Sequence, residues 1–305
     1  MSNFKFKPAV PGLECLHQGK VRDTFAIPGH PELLLTVATD RVSTHNVPHK
    51  SVIPKKGYSL TALVVFWMTE QLPGIRTHLV AFGNGIWNYL PRRQDYPEDL
   101  LLRALVICRL TMIPVEFVFR SRMAGSLWKD YYQKGLLNPY GLELPSGLQL
   151  MLPFERTMFT PTDKSETDDP LNAEEVAQQY PEAYQLALRA YEKGRAFAAQ
   201  RGIEIIDGKF EVGIDSFGRV VLADECLTPD SCRFVRADGI VVGQDPAWLD
   251  KEFVRKEAER VWAGGKKVPL EFSPDVIAGT TLRYEDIVDE LTDGSLMLFQ
   301  ATRYR

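Results

Sequence analysis

The stretch Asp207-Gly-Lys-Phe-Glu-Val-Gly-Ile-Asp-Ser-Phe-Gly-Arg-Val-Val-Leu-Ala-Asp-Glu225 reads as a β-hairpin with acidic residues on one face. Phe210, Val212 and Ile214 alternate with Lys209, Glu211 and Gly213, and Asp215-Ser-Phe-Gly218 is turn chemistry between two β-branched runs. A loop of two or four residues pairs Ile214 with Arg219. That register sets Lys209 opposite Asp224 and Glu211 opposite Leu222, so Glu211 and Asp224 share a face one diagonal step apart, roughly 7–8 Å. Two carboxylates at that spacing bracket a cation. Mg²⁺ suits them, because it takes one or two carboxylates plus water and phosphate oxygens, and Lys209 stands beside them for a phosphate. On these residues alone, a solvated amphipathic hairpin is the simpler alternative. An odd-length loop would break the pairing.

The chain has 305 residues, enough for a large core divided into two lobes. With 45% hydrophobic residues, 25% charged residues and a formal charge of −4, it makes no electrostatic case for nucleic acid as a partner. No apolar run approaches the roughly 20 residues that span a bilayer, and Met1-Ser-Asn-Phe-Lys-Phe-Lys-Pro8 lacks the apolar core of a signal peptide. A cytoplasmic location is expected. Cys15, Cys108, Cys226 and Cys232 have no C-x-x-C spacing, so neither a structural zinc site nor a disulfide framework is expected. His45 and His49 stand four apart, but Pro48 breaks a helix there and no glutamate intervenes, which argues against a zinc-protease pair.

Residues 19–27 and 33–39 read as strands around Pro28-Gly-His-Pro31, and 102–110 and 115–121 as another strand pair broken at Pro114. Leu60–Glu70 reads as a buried helix ending before Pro73-Gly74, and 173–200 as a helix whose stripe includes Tyr184, Leu188 and Tyr191. Between them, 135–172 reads as a long functional loop. Further helices are expected at about 247–263 and over Tyr284–Leu291, and no internal repeat is seen.

Three more segments carry candidate chemistry. In Gly19-Lys-Val-Arg-Asp23, Lys20 and Arg22 alternate onto one face, and two cations on one strand edge suit a polyphosphate. It is not a Walker P-loop, since G-x-x-x-x-G-K-[ST] is absent. Ala38-Thr-Asp-Arg-Val-Ser-Thr-His-Asn46 follows an apolar strand and puts Asp40, Arg41 and Ser43 at its end, where polar groups suit a cleft; an Asp40–Arg41 ion pair is the structural alternative. Glu116-Phe-Val-Phe-Arg-Ser-Arg-Met-Ala-Gly-Ser126 delivers Arg120, Arg122 and Ser126 around a small-residue turn, a candidate anion cradle, with two surface arginines beside a turn as the structural alternative. Asp224-Glu-Cys-Leu-Thr-Pro-Asp-Ser-Cys-Arg233 then links the acidic hairpin to another arginine.

Together with Phe159-Thr-Pro-Thr-Asp-Lys164, these motifs resemble, in order and over nearly the full chain, the SAICAR synthetase (phosphoribosylaminoimidazole-succinocarboxamide synthase) family. The resemblance implies an α+β, two-lobed fold: a β-rich N-terminal lobe over 1–113 and a larger ATP-grasp-like lobe over 114–305, with the substrates between them. It implies an ATP-dependent ligase of purine biosynthesis joining carboxyaminoimidazole ribonucleotide (CAIR) to L-aspartate, giving SAICAR, ADP and phosphate. ATP is then co-substrate, Mg²⁺ cofactor, and the partners are small molecules rather than nucleic acid or membrane. By motif, Lys20 and Arg22 correspond to ATP-phosphate contacts, and Lys209, Glu211 and Asp224 to the Mg-ATP cluster, with Glu211 and Asp224 on the metal. Arg120, Ser126 and Arg233 correspond to ribonucleotide-phosphate contacts. Arg41, Ser43 and Lys164 are further substrate contacts, and Lys209, Asp40 and Asp169 the catalytic candidates.

Asn46 stands where many members have aspartate, and Thr167-Asp168-Asp169 where a His-Asp pair is common. Trp248-Leu-Asp-Lys-Glu-Phe253 is only similar to the family's stretch there and contributes no catalytic candidate. Two other readings use the same residues: a small-molecule kinase, in which lysine and paired carboxylates serve phosphoryl transfer, and a nucleotide-binding regulatory module without catalysis. Lys20, Lys209, Glu211 and Asp224 together speak against the latter.

Overall fold

A computed structural model describes residues 10, 12–165 and 167–305; the N-terminal segment read above for a signal lies outside the described residues. Packing groups the chain into two units. One comprises the described residues up to Phe66, His78–Arg109 and Asp250–Arg305; the other comprises Trp67–Thr77 and Leu110–Leu249. The chain passes into the second unit at Trp67–Thr77 and again from Leu110, and its last 56 residues, 250–305, pack in the first.

In the first unit, strands β1 (Cys15–Gln18), β2 (Arg22–Ala26), β3 (Leu33–Ala38), β7 (Ala104–Cys108) and β6 (Leu79–Phe82) form an antiparallel sheet in the order β1-β2-β3-β7-β6. Its apolar face gathers Phe25, Leu35, Val37 and Val106 around one core. A separate hairpin, β4 (Arg41–Thr44) and β5 (Val47–Val52), turns through His45-Asn46 and packs Val42 and Ile53 on Val254, Ala258 and Trp262 of the helix Glu252–Trp262. The helix Lys56–Phe66 begins four residues before the expected Leu60, is followed by a π-helical turn over Trp67–Gln71, and packs against the helix Pro274–Thr292, which contains the expected 284–291 segment.

In the second unit the twelve-residue strand β12 (Ile203–Ile214) is central. It pairs antiparallel with β9 (Val115–Arg122), β14 (Cys232–Arg236), β13 (Val220–Ala223) and the short β8 (Thr111–Met112), while β10 (Pro153–Phe159) and β11 (Thr162–Asp163) add to β9. The helix Pro181–Ala199 covers one face, its buried Tyr191 donating to the carbonyls of Ile205 and Ile206 at 3.2 and 3.1 Å and stacking on Phe119.

Three expectations are corrected. The strands read at 102–110 and 115–121 do not pair with each other: β7 joins β3 and β6, and β9 joins β12. The helix read over 173–200 is two helices, Ala173–Gln179 and Pro181–Ala199, because Pro181 has no N–H to continue the first and is pre-set to start the second. The long loop contains β10 and β11.

Gly57 fixes how the helix Lys56–Phe66 meets the sheet: a Cβ there would lie 2.8 Å from the Ala38 carbonyl oxygen and 3.2 Å from the Thr39 nitrogen, both immovable backbone. Gly57→Ala is therefore expected to destabilise the protein by about 1–3 kcal/mol, the usual cost of overpacking, read as a lowered denaturant midpoint; a stability equal to wild type would contradict this packing.

Candidate functional site

Along β12, Asp207, Lys209 and Glu211 share one face, while Ile206, Gly208, Phe210 and Val212 are buried on the other. Asp207 pairs across the sheet with Arg120 of β9 on one side and Arg233 of β14 on the other. Its Oδ2 accepts from Arg120 Nη1 at 2.7 Å and from Arg233 Nη1 at 2.6 Å. Two guanidiniums thus meet one buried carboxylate. Arg120 is held further by Thr160 Oγ1 (2.9 Å), the Ala124 carbonyl (3.3 Å) and Ser126 Oγ (2.8 Å). Gly125, at φ +61°, lacks the Cβ that would lie 2.4 Å from Arg233 Nη1, so the guanidinium rests directly on this turn. Forked donors, a hydroxyl and a tight turn suit an anion. Arg122, expected beside Arg120 in this cradle, instead makes a two-pronged pair with Glu204 at 2.8 and 2.9 Å.

Further along the same face lies an acidic cluster. The hairpin register differs from expectation: Ile214 pairs with Val220 and Glu211 with Ala223, leaving the five residues 215–219 as the loop. In that register an unbroken pleat would put Asp224 on the face opposite Glu211. Asp224 instead leaves the ladder at φ 52°, and its charge bears on both Glu211 and Lys209. The expected neighbourhood is reached through a left-handed residue rather than through the pleat.

Lys209 donates to Glu116 Oε1 at 2.7 Å, and Glu116 also accepts from Thr162 Oγ1 at 3.0 Å. Desolvation pulls the Lys209 ammonium down, but Glu116, Glu211 and Asp224 outweigh it and hold Lys209 above the ordinary lysine range. Lys209 is therefore a fixed cation, unsuited to accept a proton. Glu211 is shifted up by burial and by Asp224, with Lys164 and Lys209 opposing; Lys164 closes an ion pair on it. Among the described residues no cage of three or more His, Cys, Asp or Glu forms. A half-buried glutamate crowded by an aspartate, drawing a lysine onto itself, nevertheless suits a Mg²⁺ ion that takes its other ligands from water and phosphate.

Lys164 is delivered by a loop closed at its base by Asp163, whose Oδ1 accepts from the backbone of Ser165 at 3.0 Å and Asp169 at 2.9 Å. Asp169 is exposed and is tied to this loop through its backbone. Asp207, Glu116 and Thr160 escaped the sequence reading, although alternation puts Asp207 on the face of Lys209 and Glu116 on that of Arg120.

In the first unit, two separate sequence motifs prove to be one structure. Lys20 lies in the turn between β1 and β2. Arg41 Nη2 donates to the Gly19 carbonyl at 3.0 Å, and Thr39 donates to the Val21 carbonyl through Oγ1 at 2.7 Å. Arg41 also pairs with buried Asp23 at 2.5 Å, rather than with Asp40. Asp40 accepts from the backbone of Lys55 and Gly57 at 3.2 and 3.0 Å, capping the start of the helix Lys56–Phe66. Asp40 and Arg41 thus hold the frame around Lys20. Arg22 lies opposite Ala38, and Ser43 is buried opposite Pro48. His49, buried and lowered to about 4 by desolvation, then by Lys251 and His45, is neutral; its Nδ1 accepts from the Leu270 N–H at 3.2 Å, so Nε2 carries the hydrogen toward Thr44 Oγ1.

The family model for SAICAR synthetase matches residues 15–271. Phosphoribosylaminoimidazole-succinocarboxamide synthase from Mycolicibacterium vanbaalenii is 37% identical over 300 residues, covering 94% of this chain and 96% of that protein. The enzyme of that name from Cupriavidus taiwanensis is 37% identical over 309 residues, covering 97% of this chain and all of that protein. Among solved structures, SAICAR synthase from Saccharomyces cerevisiae complexed with SAICAR superposes with a TM-score of 0.82 at 32% identity, covering 95% of this chain and 98% of that one. With this family match across most of its length, and an α+β architecture shared with those solved structures, the chain belongs to the SAICAR synthetase family.

Proposed function

We infer that this chain is a phosphoribosylaminoimidazole-succinocarboxamide synthase, which joins the carboxylate of CAIR to the amine of L-aspartate at the expense of ATP and yields SAICAR, ADP and phosphate. Beyond the family, the observation that carries this reading is the polar face of β12. One strand presents an arginine cradle around Asp207 and, two and four residues on, the Lys209 and Glu211 end of an acidic cluster. A phosphorylated small molecule and a metal-bound polyphosphate call for those two chemistries side by side.

A carboxylate resists attack by an amine because its charge and resonance oppose it. Transfer of the γ-phosphoryl group to a CAIR carboxylate oxygen breaks the bond to ADP and gives an acyl phosphate. The aspartate nitrogen then attacks the acyl carbon, phosphate departs with its bonding pair, and the amine loses a proton. The protein's part is alignment and charge stabilisation rather than a covalent nucleophile. We assign Arg233, Ser126 and Arg120 to the ribonucleotide phosphate, Lys20 and Arg22 to ATP phosphates, and Lys209, as a permanent ammonium, to the charge gathered during transfer. Glu211 and Asp224 would hold Mg²⁺, which when bound neutralises phosphate charge. Lys164 then exchanges Glu211 for a substrate anion, and Asp169 shares its loop. Ser43 stays with the substrate-binding set, and Asp40 and Arg41 act as positioning residues. The substrates are small molecules. No helix among the described residues is long and apolar enough to cross a membrane, and we place the reaction in the cytoplasm.

The reading is tested by mixing protein with Mg-ATP, aspartate and CAIR, omitting each in turn, and identifying products by mass. SAICAR, with ADP in equal amount, is expected only from the complete mixture. A stable phosphorylated product without aspartate would make the protein a kinase.

A second outcome follows from Glu211. Because its pKa is raised in the folded protein, its carboxyl favours folding below that pKa and ceases to do so as pH rises through it. A bound cation opposes this loss. Mg²⁺ is therefore expected to raise the melting temperature more on the alkaline side of the raised glutamate pKa than on the acid side. Glu211→Gln should flatten that difference and raise the apparent KM for Mg-ATP about tenfold. An unchanged Mg²⁺ profile in the variant would remove Glu211 from the metal.

A further inference from the structure

The backbone on both sides of Lys20 is already fixed, by Arg41 at the Gly19 carbonyl and by Thr39 at the Val21 carbonyl. What remains free is the side chain, whose four rotatable bonds would otherwise spread its ammonium over a wide volume. Lys20 Nζ donates to Asn46 Oδ1 at 2.5 Å. Both side chains are exposed, and Asn46 is the group to which this cation donates.

Asn46 occupies a demanding position. Thr44 pairs with Val47 across the two-residue turn His45-Asn46, and both turn residues are left-handed, at φ 48° and 62°. Two successive positive φ values make the type I′ geometry that suits a tight hairpin. Histidine and asparagine tolerate that region better than most residues, but it persists only where the surroundings impose it. Here the imposing contact is on the neighbouring helix. A glutamate carboxylate only accepts, so His45 Nε2–H donates to Glu259 Oε1, at 2.8 Å. The His45 ring also lies edge-on to Trp262, 5.9 Å between centroids. Glu259 and Trp262 belong to the helix on which β4 and β5 already pack.

We propose that His45 and Glu259 are positioning residues for Lys20, acting through the turn that carries Asn46. The chemistry of position 46 sharpens the point. A neutral amide oxygen can localise an ammonium without cancelling its charge, whereas a carboxylate there would spend it. Lys20 is thus held in place with its charge still available to an anion. The value of that to catalysis rests on the reading of Lys20 as an ATP-phosphate contact.

Amine-labelling of the full-length protein, with Lys20 modification followed by peptide mass spectrometry, measures the positioning without reference to activity. Glu259→Ala is expected to speed Lys20 labelling about fivefold, the worth of one modest hydrogen bond. Glu259→Gln, which keeps an acceptor for His45, should restore most of the wild-type rate. The KM for ATP should rise by a similar factor in Glu259→Ala, with a smaller effect on kcat. Should Glu259→Ala fail to fold, Asn46→Gly keeps the turn's backbone but removes the acceptor, and the same rise in labelling is expected. Unchanged Lys20 labelling in a folded Glu259→Ala or Asn46→Gly protein overturns the proposal. Faster labelling with an unchanged KM for ATP upholds the positioning role and removes Lys20 from ATP binding instead.

Discussion

The second unit is organised by one electrostatic constraint: Asp207, buried on the central strand, must answer two arginines, one from each neighbouring strand. Removing one member of such a buried group costs about 3–5 kcal/mol, because it leaves uncompensated charge in a place water cannot reach. The constraint locks β9, β12 and β14 in register at the row where function is proposed. It also brings two guanidiniums to one carboxylate at that row. Gly125 and Ser126 then matter because of that row: the glycine gives Arg233 room against the turn, and the serine fixes the outer edge of Arg120.

The same strand carries the opposite problem two to four residues on, where acidic groups outnumber their immediate space. Lys209 is held as an ammonium by Glu116, and Lys164 is drawn onto Glu211. One strand face thus carries an arginine row beside a cluster of acidic groups and lysines. Natural proteins tolerate such arrangements where ligands complete them. The first unit follows a different principle, in which Thr39, Asp40 and Arg41 spend their side chains on fixing backbone around Lys20 and at the head of one helix.

Much of this was legible in the residues. Alternation placed Lys209 and Glu211 on the polar face correctly, because strand periodicity is local and β12 alternates from Gly208 to Val212, although its register shifts before Asp207 and Ile214 is exposed. The hairpin register was not legible, since it hangs on whether Asp215–Arg219 forms a four- or five-residue loop, and the answer was hidden by a left-handed Asp224 that restores the neighbourhood the wrong register had suggested. Partner choice was the least legible link. Nothing local says that Arg41 would turn to Asp23 rather than Asp40, or that Arg122 would face Glu204 while Arg120 faces Asp207. Those choices are made by strands far apart in sequence. The family resemblance supplied what periodicity lacked, by recognising the motifs as a set.

We propose that the arginine row around Asp207 receives the phosphate of a ribonucleotide. Calorimetric titration of CAIR and of its dephosphorylated nucleoside, each into wild-type protein and into Arg233→Ala, tests it most directly. A strong wild-type preference for the phosphorylated form that collapses in Arg233→Ala is the predicted result. An equal preference in both proteins would contradict the account.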